Sequence, residues 1–415
     1  MSLSFLDRQT TFALACAVLG LSVLGARPSA AADSYFVPGL EAGLEYHTNV
    51  GLRSGTGPFT QEEDGGGYIA EVWALAGMRS PRAYFEVLPR IRFQEYPDHD
   101  ELQDFSQFMA IRGRYDSPRS YVALTGDYLR EDEFNAQLSD AQYDDFDPDN
   151  PVVDETGRVV LLDTTRTRVQ LRPEFAYQLN RTISAGIRGL YQTVGFDSEV
   201  DFDRDDYSYA YAVGFLGWRS GPRSKLEVGP YVARYETDDN LNRTDSTGVA
   251  VGFDYQWSPT WTASVTGQIE STEVNRIDLL DTETSTNWGL MVETRREGQI
   301  SDWRFSLGRT FNPSDSGTRT ELDQIRAQYN RNLTQRWRFT GAIRAYQARS
   351  QGGNFRGNDR DYLRGDLGIE WRWRQTWSLR GEYSYIEQKY ENDGQTRSDN
   401  MLQLKIRYEG LRPAR

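Results

Sequence analysis

Residues 249–270 read VAVGFDYQWSPTWTASVTGQIE, and the signal for the fold is in their alternation. Odd positions from Val249 to Trp257 carry large apolar side chains, whereas the even positions between them carry Ala, Gly, Asp and Gln. The alternation resumes at Trp261, after a Pro-containing link. Because successive side chains of a β-strand point to opposite faces, the pattern predicts two strands joined by a tight turn, each with one apolar face.

The same pattern runs through the rest of the chain, and its connections alternate between short and long. The eight short ones include residues 79–82, 116–119, 180–181, 220–223, 258–260 and 374–376. The nine long, polar ones are residues 53–64, 97–104, 131–163, 197–206, 237–246, 275–286, 312–319, 350–360 and 391–399. Nine hairpins joined by eight short turns predict an all-β fold of about 18 strands: a single transmembrane antiparallel β-barrel with short periplasmic turns and long extracellular loops.

Aromatic residues favour a membrane barrel over a soluble β-sandwich, which would not sort nine long loops to one end. Seven tryptophans flank short turns, as the interfacial girdle of a barrel requires: Trp218, Trp257, Trp261, Trp303, Trp337, Trp373 and Trp377. Apolar residues alternate from Leu402 to Tyr408, which resembles the terminal strand that the barrel-assembly machinery reads. We therefore expect the lipid bilayer and this machinery as partners.

Residues 1–32 have the features of a signal peptide that is removed on export. Arg8 supplies the positive charge, residues 12–24 form the apolar core, and residues 30–32 are three alanines. The predicted barrel domain is then residues 33–415, in the outer membrane of a Gram-negative bacterium. The one cysteine, Cys16, lies in the signal, so disulfides and thiolate metal sites are not expected.

The charge balance argues against nucleic acid as a partner, since 47 basic residues face 61 acidic ones and the net charge is −14. Only Lys225, Lys389 and Lys405 are lysines, so nearly all of the basic residues are arginine. Arginine forms forked bonds to carboxylates and keeps its charge in any environment.

Many arginines occupy the polar face of the predicted strands and would line the barrel interior. The candidate lumen residues are Arg90, Arg92, Arg112, Arg168, Arg172, Arg188, Arg338, Arg344, Arg364, Arg372, Arg374 and Arg380. With the acidic residues between them, they form either a structural lattice of ion pairs or an electropositive path for an anionic solute. Both interpretations can hold together.

The loop of residues 131–163 is the longest and the most acidic, and we expect any constriction of the lumen to come from it. Asp145, Asp147 and Asp149 resemble the start of a calcium loop. Asn150 and Thr156 stand where that loop needs Gly and Glu, however. The calcium hypothesis is therefore weak, a solvated acidic loop is the default, and no cofactor is expected.

Catalytic signatures are sparse, so no enzymatic activity is expected. The chain has two histidines, His47 and His99, and contains neither a Gly-x-Ser-x-Gly elbow nor a His-x-x-x-His spacing. A Ser-His-acid site would need one of these histidines beside a nucleophile that packing holds in place.

Residues 37–50, VPGLEAGLEYHTNV, resemble the first strand of a family of outer-membrane β-barrel porins often encoded beside exopolysaccharide or capsule genes. The shared feature is a strand that ends in Tyr-x-x-Asn-(Val/Ile), here Tyr46 to Val50, before an acidic or Gly-rich loop. The resemblance implies a pore without catalytic residues that works with a separate periplasmic polysaccharide-export protein.

We therefore expect an outer-membrane pore for the export of a secreted, acidic polysaccharide. One alternative is a nutrient porin for small solutes. Another is a non-conducting, surface-structural barrel whose acidic loops bind a partner. A conductance measurement separates the export pore and the nutrient porin from the scaffold, because a pore conducts ions and the scaffold does not.

Overall fold

The computed structural model describes residues 32–50, 52, 64–98, 103–132, 164–198, 206–238, 242–276, 281–313, 319–350, 359–391 and 394–411. These residues form eighteen strands. They are β1 (Asp33–His47), β2 (Gly65–Arg79), β3 (Ala83–Glu95), β4 (Asp104–Asp116), β5 (Ser120–Asp132), β6 (Thr164–Gln178), β7 (Ile183–Ser198), β8 (Tyr207–Gly221), β9 (Ser224–Thr237), β10 (Asn242–Ser258), β11 (Trp261–Arg276), β12 (Asp281–Glu297), β13 (Ser301–Pro313), β14 (Arg319–Asn332), β15 (Trp337–Ser350), β16 (Arg360–Arg372), β17 (Trp377–Tyr390) and β18 (Thr396–Glu409). A helix long and apolar enough to cross a membrane is not found among the described residues.

The strands form one closed sheet. Each strand pairs antiparallel with the next, and β1 closes the ring by pairing with β18, from Gly39 opposite Glu409 to His47 opposite Met401. This closed 18-strand antiparallel barrel confirms the predicted fold class. Closure also pairs every strand on both sides, which is the condition for a sheet to exist in lipid.

The connections alternate as predicted, with eight short turns at one end and nine longer links at the other. Two links are shorter than predicted, because β10 begins at Asn242 and β12 at Asp281. Polar residues Arg243 to Ser246 pair with both β9 and β11 there. The ladder of backbone hydrogen bonds thus extends beyond the apolar alternation that marks a strand in the sequence.

The two faces of the barrel wall differ as the alternation predicts. Outward side chains form an apolar belt, in which Leu44, Ile269 and Leu404 expose 52–65% of their surface. Eight outward or turn tryptophans cluster near the short turns: Trp218, Trp257, Trp261, Trp303, Trp337, Trp371, Trp373 and Trp377. An apolar belt with an aromatic girdle is the exterior of a barrel that spans the outer membrane, and we assign the protein to that membrane.

Candidate pore lumen

A cavity of about 870 Å³ occupies the lumen at the short-turn end. Its wall comes from the inward side chains of β1–β4, β12 and β14–β18, so it joins segments from both ends of the chain. Nine cationic side chains line it, namely Arg90, Arg112, Arg295, Arg338, Arg364, Arg372, Arg380, Lys405 and Arg407. Six carboxylates line it as well, namely Glu41, Glu71, Asp366, Glu370, Glu382 and Glu409. The cavity we call the vestibule is therefore lined by more cations than anions.

Many of these charges pair along a single strand. Arg364 Nε donates to Asp366 Oδ1 at 2.8 Å, and Arg372 Nε donates to Glu370 Oε1 at 2.7 Å. Such pairs form because residues two apart in a strand share one face. Across strands, Arg92 Nε donates to Glu71 at 3.2 Å. These contacts agree with the lattice interpretation for part of the wall.

Arg338 on β15 differs from these residues. Its side chain forms no ion pair and no hydrogen bond with any residue that the structure describes, although it lines the vestibule. With Arg372 and Asn330 it also lines a smaller cavity of about 220 Å³ next to the vestibule. Arg338 lies opposite Glu370 on β16, whose carboxylate is bonded to Arg372, so the Arg338 guanidinium keeps donors for a solute, as the path interpretation requires.

The structure brings only some of the predicted lumen arginines together. Those that line the vestibule are Arg90, Arg112, Arg338, Arg364, Arg372 and Arg380. Arg92 and Arg168 are buried in the wall, Arg172 lies 3.5 Å from Asp127, and Arg188 pairs with Glu227 on another arc of the barrel.

Two of the candidates lie farther from the vestibule. Arg344 lies 5.1 Å above the ring of Tyr346, nearer to the long-loop end of β15. Arg374 lies in the exposed turn after β16 and not on the wall. The alternation of β16 ends at Arg372, so the parity of that strand does not extend to Arg374.

A layer of tyrosine and arginine lies above the vestibule, toward the long loops. Tyr346 and Tyr362 stack with ring centroids 4.7 Å apart, and the Arg360 guanidinium lies 5.3 Å from Tyr346. Both tyrosines and Arg360 are buried. Sequence reasoning missed the layer, although Tyr346 and Tyr362 share the polar-face parity of Arg344 and Arg364.

An apolar cluster narrows the same part of the lumen. Val50 and Leu52, from the first long connection, are buried with Tyr96, Leu322 and Ile386. Leu52 has a φ of 47°, and its N–H donates to the Asn49 carbonyl at 3.2 Å, so the chain turns tightly at this point. We predicted the constriction in residues 131–163. Residues 133–163 lie outside the described residues, so that prediction stays untested, whereas the cluster shows that residues of the first connection enter the lumen.

The Tyr-x-x-Asn-Val motif lies at the seam between β1 and β18. The Asn49 N–H donates to Asp399 Oδ1 at 3.0 Å, and the Asn49 side-chain amide donates to the Ser398 carbonyl at 3.1 Å. Beside them, His47 Nδ1 lies 2.6 Å from Asp399 Oδ2. These contacts assign His47 a structural role in closing the barrel.

The metal hypothesis concerns residues outside the described part of the chain. Asp145, Asp147 and Asp149 all lie there, as does His99, which was considered only as a catalytic histidine. Among the residues that are described, no group of three or more His, Cys, Asp or Glu side chains could hold a metal ion.

Comparison with known proteins gives similarity to solved structures only. No family model matches the chain, and no curated protein matches it. OccK2 (OpdF) from Pseudomonas aeruginosa, in complex with glucuronate, is 9% identical with a TM-score of 0.43, covering 91% of this chain and 96% of that one. OpdO from the same organism is 9% identical with a TM-score of 0.45, covering 91% and 97%. OccAB3 from Acinetobacter baumannii is 10% identical with a TM-score of 0.43, covering 91% and 99%. At sequence identities of 9–10%, the similarity concerns the fold and not the function.

Proposed function

We propose that the protein is an outer-membrane pore that passes small anionic solutes. The observation that carries the proposal is the charge of the vestibule. Nine cations face six carboxylates there, in a chain whose net charge is −14. Since the chain as a whole is acidic, composition alone does not account for a basic cavity.

The physical basis is electrostatic. Cations around a water-filled cavity with low-dielectric walls raise the local concentration of anions and lower that of cations. Arginine also binds anions directionally, because its forked guanidinium binds a carboxylate through two parallel hydrogen bonds. Arg338 is available for such a contact, and Arg372 lies in the same pair of cavities.

The volume of the vestibule and the buried side chains above it favour small solutes over a polymer. The vestibule has the volume of an ordinary small-molecule site. Above the vestibule, the buried Tyr346–Tyr362 layer and the cluster that contains Val50 and Leu52 narrow the lumen. A polysaccharide chain would need a continuous wide channel, and none of the observations on the described residues favours the export hypothesis or its periplasmic partner. We therefore place the small-solute porin first.

The test is ion selectivity in a planar bilayer. The mature chain should conduct, and its reversal potential in a KCl gradient should show anion preference. Arg338→Gln combined with Arg372→Gln should lower the anion-to-cation permeability ratio by about twofold or more. The matched control is Arg349→Gln, at an exposed arginine on an outward-facing position of β15, which should leave the ratio unchanged.

Other outcomes would overturn the proposal in distinct ways. Equal selectivity in the double variant and the wild type would leave only the lattice interpretation. Block by an added acidic polysaccharide, with no response to small carboxylates, would return the export hypothesis to first place. A folded barrel that never conducts would favour the surface-structural scaffold.

A further inference from the structure

The short-turn end of the barrel carries a ring of arginines. The eight turns are residues 80–82, 117–119, 179–182, 222–223, 259–260, 298–300, 333–336 and 373–376. Six of them contain one arginine each and none contains Asp or Glu: Arg82, Arg119, Arg181, Arg223, Arg336 and Arg374. The nine connections at the opposite end contain twenty-seven acidic and four basic residues. The charge of the two ends is therefore opposite in sign.

The six turn arginines are exposed, and none of their side chains forms an ion pair or a hydrogen bond with a residue in the described part of the chain. This separates them from the wall arginines, most of which pair with a carboxylate on the same or the next strand. Six unneutralised cations on one rim of an acidic protein indicate a binding surface for anions.

The depth of the ring follows from the tryptophans beside it. Arg336 precedes Trp337, and Arg374 follows Trp373. Trp337 stacks on Trp371 with centroids 5.8 Å apart, and Trp373 stacks on Trp377 at 6.2 Å. Tryptophans of a barrel girdle sit where hydrocarbon gives way to headgroups. A long arginine side chain next to such a tryptophan in sequence therefore reaches the level of the lipid phosphates.

We propose that this arginine ring binds the headgroups of anionic phospholipids, of the phosphatidylglycerol class, in the leaflet at the short-turn end. The turns alternate with strand pairs around a closed barrel, so their exposed arginines are distributed around the short-turn end and not confined to one patch, and Arg223 also lines a cavity on the inner side of the wall. That distribution fits a surrounding annulus of lipid better than a protein docked at one side. A phosphate diester accepts the forked bonds of a guanidinium as a carboxylate does.

The ring of turn arginines has a gap on one side of the barrel. The turns after β10 and β12 lack arginine, and there Trp257, Trp261 and Trp303 pack together, with centroids 6.3 Å and 4.9 Å apart. Enrichment of anionic lipid should therefore be weakest along this arc. This inference depends on the barrel being in a membrane and not on its conducting anions.

The experiment measures lipid preference through quenching of tryptophan fluorescence by brominated phospholipids. The mature barrel is refolded in vesicles of phosphatidylcholine with increasing phosphatidylglycerol, and the brominated species is either one lipid or the other. Wild type should bind phosphatidylglycerol several-fold more tightly than phosphatidylcholine at low salt, and this preference should decline at high salt. With all six arginines changed to Gln, the ratio should fall close to one.

Two further variants keep the result interpretable. If the sixfold variant does not refold, a triple variant takes its place, with Arg181→Gln, Arg336→Gln and Arg374→Gln. This triple variant should lose part of the preference for phosphatidylglycerol. The control triple Arg234→Gln, Arg243→Gln and Arg349→Gln removes the same charge near the long-loop end and should retain the wild-type preference. A folded sixfold variant with undiminished preference would overturn the proposal. So would a variant that changes ion selectivity but not lipid preference, because the ring would then act on solutes at the pore mouth.

Discussion

His47 Nδ1 lies 2.6 Å from Asp399 Oδ2, which joins the first strand of the barrel to the last across 352 positions of sequence. Both side chains are buried. Asp399 also accepts the Asn49 N–H at 3.0 Å, and the Tyr96 hydroxyl lies 3.2 Å from His47 Nε2. The seam of the barrel is thus held by a side-chain network in addition to the backbone ladder.

Replacing Asp399 with Ala should weaken this seam. The substitution leaves His47 and the Asn49 N–H buried without their acceptor, so we expect a loss of about 3 kcal/mol in the free energy of unfolding. Urea unfolding in lipid vesicles, followed by tryptophan fluorescence, measures it. Asp361→Ala, at an exposed carboxylate on the outer face of β16, is the matched control. Equal effects of the two variants would contradict a structural role for the network.

Truncating Val50 and Leu52 to Ala should widen the pore. Both side chains belong to the buried cluster with Leu322 and Ile386, so their loss leaves space in the lumen. We expect a higher single-channel conductance, together with a destabilisation of about 2–5 kcal/mol. Conductance of the double variant in a planar bilayer decides the point. If stability falls while conductance stays at the wild-type value, the cluster does not limit the path.

Gly39→Ala should disturb the vestibule wall. A methyl group at position 39 would lie 2.0 Å from Trp73 Cε2, so the indole must shift from its place, where the Arg407 guanidinium lies 4.7 Å from its ring. The cost should be about 1–3 kcal/mol in unfolding free energy. Gly365→Ala provides the comparison, because nothing lies within 4 Å of its added methyl group. A similar cost at both positions would refute the close packing of Trp73 over Gly39.

Asp206→Asn should make stability less dependent on pH. Burial, together with the nearby Asp238 and Asp197, raises the pKa of the Asp206 carboxyl, although the Phe196 N–H donates to it at 2.8 Å. A carboxyl whose pKa is raised by folding favours the folded state in its protonated form, and this contribution is lost as pH rises through the folded pKa. Asn removes the charge and keeps an acceptor for Phe196.

The variant should therefore have a higher melting temperature than the wild type at neutral pH, and the gap should close at about pH 4, near the ordinary pKa of Asp. Thermal unfolding in detergent at the two pH values measures it, with Asp361→Asn as the control. A gap that is the same at both pH values would contradict the raised pKa.

Local features of the chain were enough to predict the barrel. The apolar alternation of residues 249–257, the Pro-containing turns and the tryptophans beside them each depend on neighbours a few positions away. Period-two alternation and turn chemistry act at that range, so strand number, topology and the apolar exterior can all be read without coordinates. The two shortened links mark the limit, since polar residues Arg243 to Ser246 join the ladder only because both neighbouring strands continue beside them.

The lumen depended on contacts between distant parts of the chain. Arg90 and Arg338 line one vestibule because closure brings β3 and β15 to the same cavity, and no local pattern reveals which strands face each other across a barrel. Val50 and Leu52 enter the lumen because Asp399, near the other end of the chain, holds the turn before them. Register and closure, which are properties of the whole sheet, select which side chains meet, and this is why the strand pattern predicted a polar wall but not the site within it.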